Sequence, residues 1–244
     1  MRELFTDDHE AFRESFATFI AKELAPDYLE WERAGIAPRH IFSQAGKYGF
    51  VGMAVPEQYG GGGSRDFRFN VVLAEELGYA DVWVSDHLVV PTGVPYPPSA
   101  YVFEPFTVMT WVAASTKRVR LGTTVLVLPM RNPLVVAKTV ASIDQLSGGR
   151  VILGTAAGWL EAEFDALGVP FEERGPRTDE ALEIIRRCWT DDHITAEFPV
   201  HGARFRSIRA KPQPVGNVPL WIGGHADVAL RRAIAVGDGW HGAF

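Results

Sequence analysis

The 244-residue chain reads as an α/β protein in which a parallel sheet follows a small all-α module. Three observations predict this. Residues 119–128, VRLGTTVLVL, and 151–153, VIL, are apolar runs without alternation, as expected of strands buried on both faces. Between them, Pro133 and Gly148 bracket a stretch with apolar residues at Val136, Val140 and Ile143, so strand, helix and strand follow in order and the two strands are parallel. Ahead of residue 78 the periodic segments are helical instead, with apolar residues three and four apart.

In chain order, Phe12, Phe16, Phe19, Ile20 and Leu24 form one stripe of a helix that opens near Thr6-Asp7-Asp8 and stops before Pro26. A second helix is expected from about Pro38 to Tyr48, with Ile41, Phe42 and Ala45 inward and Gly49 as its stop. A third runs from about Phe67 to Leu77. The intervening PEQYGGGGS lacks the Lys-Ser/Thr of a phosphate loop and reads as a flexible connection. After residue 77 the pattern changes. Val82, Trp83 and Val84 form a short strand ending in Ser85-Asp86-His87, and a helix follows from Pro105 to Ala114. Beyond the central strand–helix–strand unit come helices at Glu161–Leu167 and Thr178–Trp189, and a β-hairpin or irregular extended chain at His193–Phe205. The strand PLWIGG, a helix at Asp227–Val236 and a final strand DGWHGAF close the chain.

Composition narrows the partners. A net charge of −6 argues against nucleic acid, since phosphate binding needs a basic surface. Residues 1–77 carry most of the imbalance, with 13 acids and 8 bases against 17 and 16 in the remainder. No apolar run approaches the roughly 20 residues that span a bilayer, and the start is acidic where a signal peptide is basic and then apolar, so no membrane association and a cytoplasmic location are expected. The single cysteine, Cys188, sits in a helical pattern beside Trp189 and reads as core. A small-molecule substrate is the expected partner, with a homo-oligomer as an option.

In parallel α/β proteins, binding and reacting groups collect where strands end and helices begin. Asp86 and His87 close one strand, Gly154 to Trp159 another, Gly223 and Gly224 a third, and Trp240 and His241 the last. His87 suits a general acid or base because its ordinary pKa lies near neutrality, or it serves as a hydrogen-bonded structural histidine. Asp86 either orients it or caps the turn. The Gly223-Gly224 pair exposes N–H groups suited to phosphate, or simply makes a turn. There is no HExxH, no CxxC, no nucleophile elbow and no metal-ligand spacing among His193, His201, His225 and His241, which favours an organic cofactor over a metal.

Two resemblances add to this. The phrases LFTDDHEAFRESFATFIAKELAP, EWERAGIAPRHIFSQAGKYGFVGMAVPEQYGGGG and FRFNVVLAEEL make residues 1–77 resemble the N-terminal helical domain of acyl-CoA dehydrogenases. That likeness implies a packing or acyl-binding module, with FAD only if it carries function, and no catalytic residue. The phrases GYADVWVSDHLVVP, LGTTVLVLPMRNPLVVAKTVASIDQLSGGRVILGTAAGW, FDALGVPFEERGPRTDEALEIIRRCW and VPLWIGG…RRAIAVGDGWH make residues 78–244 resemble luciferase-like monooxygenases, particularly members that use the deazaflavin coenzyme F420.

The second resemblance implies a TIM-type (β/α)8 barrel with F420, or alternatively FMN, at its C-terminal mouth. By it His87, with Asp86 beside it, lies near the reactive ring carbon. Thr124-Val125 matches a non-prolyl cis peptide behind the ring. Gly154, Gly158, Trp159, Gly223 and Gly224 match or adjoin positions lining the cofactor. Trp159 departs from the pattern of some deazaflavin dehydrogenases, which carry a catalytic glutamate there. Together the resemblances imply a chimera joined at residues 74–77, with about five parallel strands of the eight that close a barrel. Open edges and an uncovered interior are the expected consequence, and with them marginal stability. Three functions stay open: a flavin- or F420-dependent oxidoreductase or monooxygenase, a non-catalytic acyl-CoA-binding or interaction module, and a recombined reading frame without activity.

Overall fold

The computed structural model describes residues 5–64, 66–94, 96–97 and 99–242. The chain divides into two compact units, Met1–Tyr79 and Ala80–Phe244.

The first unit is helical. Helix α1 (Asp7–Phe19) starts at Thr6, whose backbone N–H donates to His9 Nδ1 at 3.2 Å in a capping box, and continues as a π-turn over Ile20–Leu24. Helix α2 (Tyr28–Ala34), which the sequence pattern does not announce, is one short run closed by Gly35 at φ +69°. It has no buried residue, so no apolar stripe marks it. Helices α3 (Arg39–Lys47) and α4 (Arg68–Glu76) lie where their periodicity places them, although Phe42, expected inward, is exposed. The core gathers around Phe50, whose ring lies 4.8 Å from Phe16, 5.3 Å from Phe19 and 5.4 Å from Phe12. Each such ring withdraws enough apolar surface to contribute about 2–3 kcal/mol. The glycine-rich stretch is a closed loop rather than a loose one: Gly62, Gly63 and Ser64 donate N–H bonds to the carbonyls of Gly52, Val55 and Met53.

The second unit alternates strand and helix. Its elements are β1 (Asp81–Val84), α5 (Pro105–Ser115), β2 (Arg120–Thr123), β3 (Leu126–Val127), α6 (Pro133–Ser147), β4 (Val151–Ala156), α7 (Glu161–Leu167) and α8 (Arg174–Thr190). There follow β5 (Ile194–Phe198), β6 (Ala203–Ile208), β7 (Leu220–Gly223), α9 (Asp227–Val236) and β8 (Gly239–His241). The sheet order is β1-β2-β4-β7-β8 with every pairing parallel, and β3 also pairs with β4. The run expected as one strand at 119–128 is therefore broken, since Thr124 and Val125 leave the ladder between β2 and β3. Strands β5 and β6 form an antiparallel hairpin apart from this sheet. Of the final strand expected over 238–244, Gly239–His241 is extended and residues 243–244 lie outside those described.

Helix α6 shows why the central unit is so legible. Asn132 caps it by accepting N–H bonds from Leu134 and Val135, Pro133 occupies its first turn, and Gly148 ends it at φ +74°. Its buried face, including Val136, Val140 and Ile143, packs with β4, α5 and α8.

Among the described residues the five strand positions leave β1 and β8 with one neighbour each, as expected of an open sheet. The interior is less bare than expected. Register pairs Trp83 with Gly122, and Trp221 with both Gly154 and Gly239. A Cβ on Gly122 would stand 2.2 Å from the Trp83 ring, and one on Gly239 3.0 Å from the Trp221 ring. Two indoles thus lie across glycines and cover this face, their rings 5.1 Å apart.

Candidate active site

The C-terminal ends of the parallel strands border an open cavity of about 280 Å³ in the second unit. Ser85, Asp86 and His87 enter it from the end of β1, Thr124 and Val125 from the break between β2 and β3, and His241 from the end of β8. Tyr96 and Trp159 supply aromatic wall, their rings 6.2 Å apart. The Thr124–Val125 peptide is cis.

His87 is held by a residue that sequence reasoning missed. Its Nδ1 lies 3.1 Å from Oε2 of Glu163, whose side chain is 2% exposed, and the other carboxylate oxygen accepts the N–H of Leu88 at 2.8 Å. The hydrogen bond to Glu163 raises the His87 pKa above its ordinary value; burial opposes the shift, and the charges of Glu163 and Asp86 add to it. Glu163 sits in the first turn of α7, 76 residues from His87 in sequence, and nothing local marks it apart from Glu161 beside it.

Asp86, expected to orient His87 or to cap the turn, makes its hydrogen bonds to Arg131 and Val127. It is buried, with one carboxylate oxygen 2.7 Å from Arg131 and the other accepting from Arg131 Nε at 3.2 Å and from the N–H of Val127 at 3.0 Å. Arg131 also donates to Glu104 at 3.1 Å. Asp86 therefore anchors β3 and the loop after it, and orientation of His87 falls to Glu163.

On the opposite wall, Thr124 Oγ1 and His241 Nε2 are hydrogen-bonded at 2.5 Å. The His241 ring stacks on Trp83 at 5.3 Å and 17°, and burial pushes its pKa below the ordinary value. His241 was expected only as a strand ending; its bond to Thr124 spans 117 residues.

The glycines divide. Gly154 lies within β4 rather than at its end, and a Cβ there would stand 2.0 Å from the Thr123 carbonyl, so its position serves strand packing instead of lining the cavity. Gly158 takes φ +82° with Val127 and Phe164 closed around it. Gly223 ends β7, where a Cβ would come within 2.8 Å of Val125 Cγ1, and Gly224 takes φ +120° just beyond. Trp159 is half-exposed, its ring edge-on to His87 at 6.5 Å. Cys188 is buried with its thiol pushed up to about 11, chiefly by burial, and reads as inert core. Among the described residues no group of His, Cys, Asp and Glu could hold a metal, and no helix is long and apolar enough to cross a membrane.

Comparison with known proteins adds a family. Residues 42–244 match the family described as luciferase-like monooxygenase. An uncharacterized protein of Mycobacterium tuberculosis is 37% identical over 195 residues, covering 72% of this chain and 66% of that protein. An F420-dependent glucose-6-phosphate dehydrogenase of Kineococcus radiotolerans is 36% identical over 193 residues, covering 77% of this chain and 54% of that protein. Among solved structures, an F420-dependent secondary alcohol dehydrogenase in complex with an F420-acetone adduct is similar at a TM-score of 0.63 and 27% identity, covering 72% of this chain and 54% of that one. The chain thus spans about half to two thirds of the length of these relatives. The family match takes in residues 42–77, which the sequence phrases assigned to an acyl-CoA dehydrogenase-like module; that likeness, the chimera it implied and the FAD it would bring gain no support from these matches.

Proposed function

The chain belongs to the luciferase-like monooxygenase family, and from that premise we propose that it serves a redox reaction on a small molecule, with F420 as its cofactor and FMN as the alternative. The observation that carries this is the His87–Glu163 pair at the mouth of the sheet, facing the cavity beside Thr124 and Val125.

The residues present fit a flat ring. The cavity of about 280 Å³ lies just under the roughly 300–1,000 Å³ usual for small-molecule sites, so it suits one planar ring system. The missing side chain of Gly223, where a Cβ would collide with Val125, leaves a smooth wall behind such a ring. Val125 would back the ring, Thr124 and Ser85 would offer hydroxyls at its edge, and Trp159 would flank it. Gly158, Gly223 and Gly224 would lie along the remainder of the cofactor. A bound deazaflavin supplies a ring carbon that gives or takes hydride, and FMN supplies reactivity toward oxygen as well.

The protein's own part is proton handling. Glu163, an acceptor when ionised, fixes the proton on His87 Nδ1 and turns Nε2 into the atom that exchanges a proton with a substrate oxygen. Because Glu163 raises the His87 pKa, the imidazolium is better populated near neutrality than in a free histidine, which suits donation as well as acceptance. Trp159 has no ionisable group and supplies no proton, and His87 is the one donor assigned.

Spectral titration of the full chain with F420, FMN and FAD tests this. The expected result is a saturable shift with F420 or FMN that Gly223→Val abolishes, and none with FAD. No saturable response to F420 or FMN, or one that Gly223→Val leaves intact, would overturn the proposal.

A further inference from the structure

The connection from β1 to α5 runs over residues 85–104 and has no helix or strand among its described residues. Connections longer than roughly 12–15 residues without secondary structure are uncommon in compact domains, and ligand binding is a usual reason for one. Both ends of this one are fastened to the site. At its start the N–H groups of Leu88 and Val89 donate to Glu163 Oε1 at 2.8 and 3.4 Å, and at its end Glu104 accepts from Arg131 at 3.1 Å. Glu163 holds His87 and Arg131 holds Asp86, so the connection and the wall of the cavity share their anchors. Its middle brings Tyr96 against Trp159 on that wall. From this we propose that Tyr96 and Trp159 select the substrate, an uncharged aromatic alcohol whose hydroxyl meets His87 Nε2; the proposal rests on His87 as the proton-exchanging group.

The two rings define the aromatic part. Tyr96 and Trp159 are 55% and 56% exposed although both line the cavity, and their rings lie 6.2 Å apart at 39°. Large apolar rings left exposed beside a reacting group mark a ligand surface. An aromatic partner suits them better than an aliphatic one, because offset or edge-on ring pairs add about two- to tenfold in affinity beyond the area they bury. Trp159 also stands edge-on to His87 at 6.5 Å. A ring placed against Trp159 therefore carries its hydroxyl to the imidazole on a short link.

His87 defines the polar part. Glu163 keeps a proton on its Nδ1, and Nε2 makes no bond to the described residues. In the neutral ring Nε2 is an acceptor, and in the imidazolium it is a donor. A hydroxyl donates to the first and accepts from the second, so it pairs with His87 in both states, whereas a carboxylate pairs only with the imidazolium. The surroundings exclude an anion on their own account. Asp86, Glu104 and Glu163 stand here against the guanidinium of Arg131, and this acidic excess persists even with His87 charged.

The test titrates the full chain, ¹⁵N-labelled at histidine, with benzyl alcohol, both alone and with F420 or FMN present, while cofactor binding is followed by its own absorbance. Cyclohexylmethanol supplies the hydroxyl without the aromatic ring, and benzoate supplies the ring with a negative charge. Benzyl alcohol is expected to move the His87 ring resonances saturably without displacing cofactor, cyclohexylmethanol to bind about fivefold more weakly and benzoate about tenfold. Trp159→Ala is expected to weaken benzyl alcohol about tenfold and Tyr96→Ala about fivefold, with Tyr96→Phe recovering the affinity. The comparison of probes on the unaltered chain stands even where a variant fails to fold. No saturable His87 shift with or without cofactor, equal binding of cyclohexylmethanol or benzoate, unchanged affinity in a folded Trp159→Ala, or displacement of cofactor by the alcohol would each overturn the proposal. Cofactor binding with no His87 response to the alcohol rejects this substrate and leaves the cofactor assignment standing; a His87 response without cofactor binding does the reverse.

Discussion

Replacing Glu163 separates its charge from its shape. Glu163→Ala removes the acceptor of the His87 imidazole and of the Leu88 N–H from a position 2% exposed, and the loss expected on breaking a buried, hydrogen-bonded pair is about 3–5 kcal/mol. Glu163→Gln keeps an oxygen for Leu88 and loses the charge opposite His87, so about 1–2 kcal/mol is expected. The pH dependence identifies the histidine. The folded His87 pKa is raised, so its contribution to stability is complete below the unfolded value of about 6.5 and is lost as pH rises through the higher folded value. In Glu163→Gln the largest raising cause is gone and burial still pushes the pKa down, so His87 titrates lower than in the parent. The stability gap between parent and variant, measured by urea unfolding at a series of pH values above the carboxylate range, therefore narrows as pH rises. Ring ¹⁵N shifts of His87 give its titration directly. A gap that widens with pH, or a His87 titration that Glu163→Gln leaves in place, would refute the assignment of Glu163 as its partner.

Three further outcomes follow from the same geometry. Asp86→Asn leaves Arg131 paired only with Glu104 and is expected to lose about 3–5 kcal/mol in chemical unfolding, with Asp86→Asn/Arg131→Met losing less than the sum of the single changes. His241 has the opposite sign to His87: its folded pKa is lowered by burial, so stability rises with pH up to about 6.5 and falls in acid as the ring is forced to charge. His241→Gln should flatten that acid limb of the stability curve. Gly122→Ala sets a Cβ 2.2 Å from the Trp83 ring; a loss of about 1–3 kcal/mol and a shifted tryptophan emission are expected, part of which Trp83→Leu restores in the double variant.

What the sequence made legible was local. Helix α6 was readable because its start and stop residues, Pro133 and Gly148, act through their own backbone, and helix α9 because Asp227–Val236 carries its pattern within ten residues. Helix α2 was not, because its one core contact, the partly buried Trp31, makes no apolar period to read. The break at Thr124–Val125 was invisible to periodicity, which sees one apolar run, and entered only through family resemblance. The site partners were hidden for another reason. Glu163 meets His87, Arg131 meets Asp86 and His241 meets Thr124 across separations of 76, 45 and 117 residues, and no composition or spacing rule reports which distant side chains converge. Asp86 beside His87 read as its orienting partner or as a cap of the turn because adjacency is what a sequence displays.

The floor of the sheet and the wall of the cavity are one contact chain. Trp83 fills the space above Gly122 because no Cβ stands there, and its ring then presents a flat face on which His241 stacks. His241 passes that position on to Thr124 through its Nε2, and Thr124 opens the peptide whose next residue, Val125, meets the bare backbone of Gly223. Trp221, laid over Gly239, holds β8 at the height that brings His241 to this chain. An open parallel sheet has no opposite strands to fill its interior, so side chains of its own must do so. The indoles that cover the interior also carry His241, which makes the packing of the glycine-lined face and the placement of Thr124 and Val125 a single structural requirement.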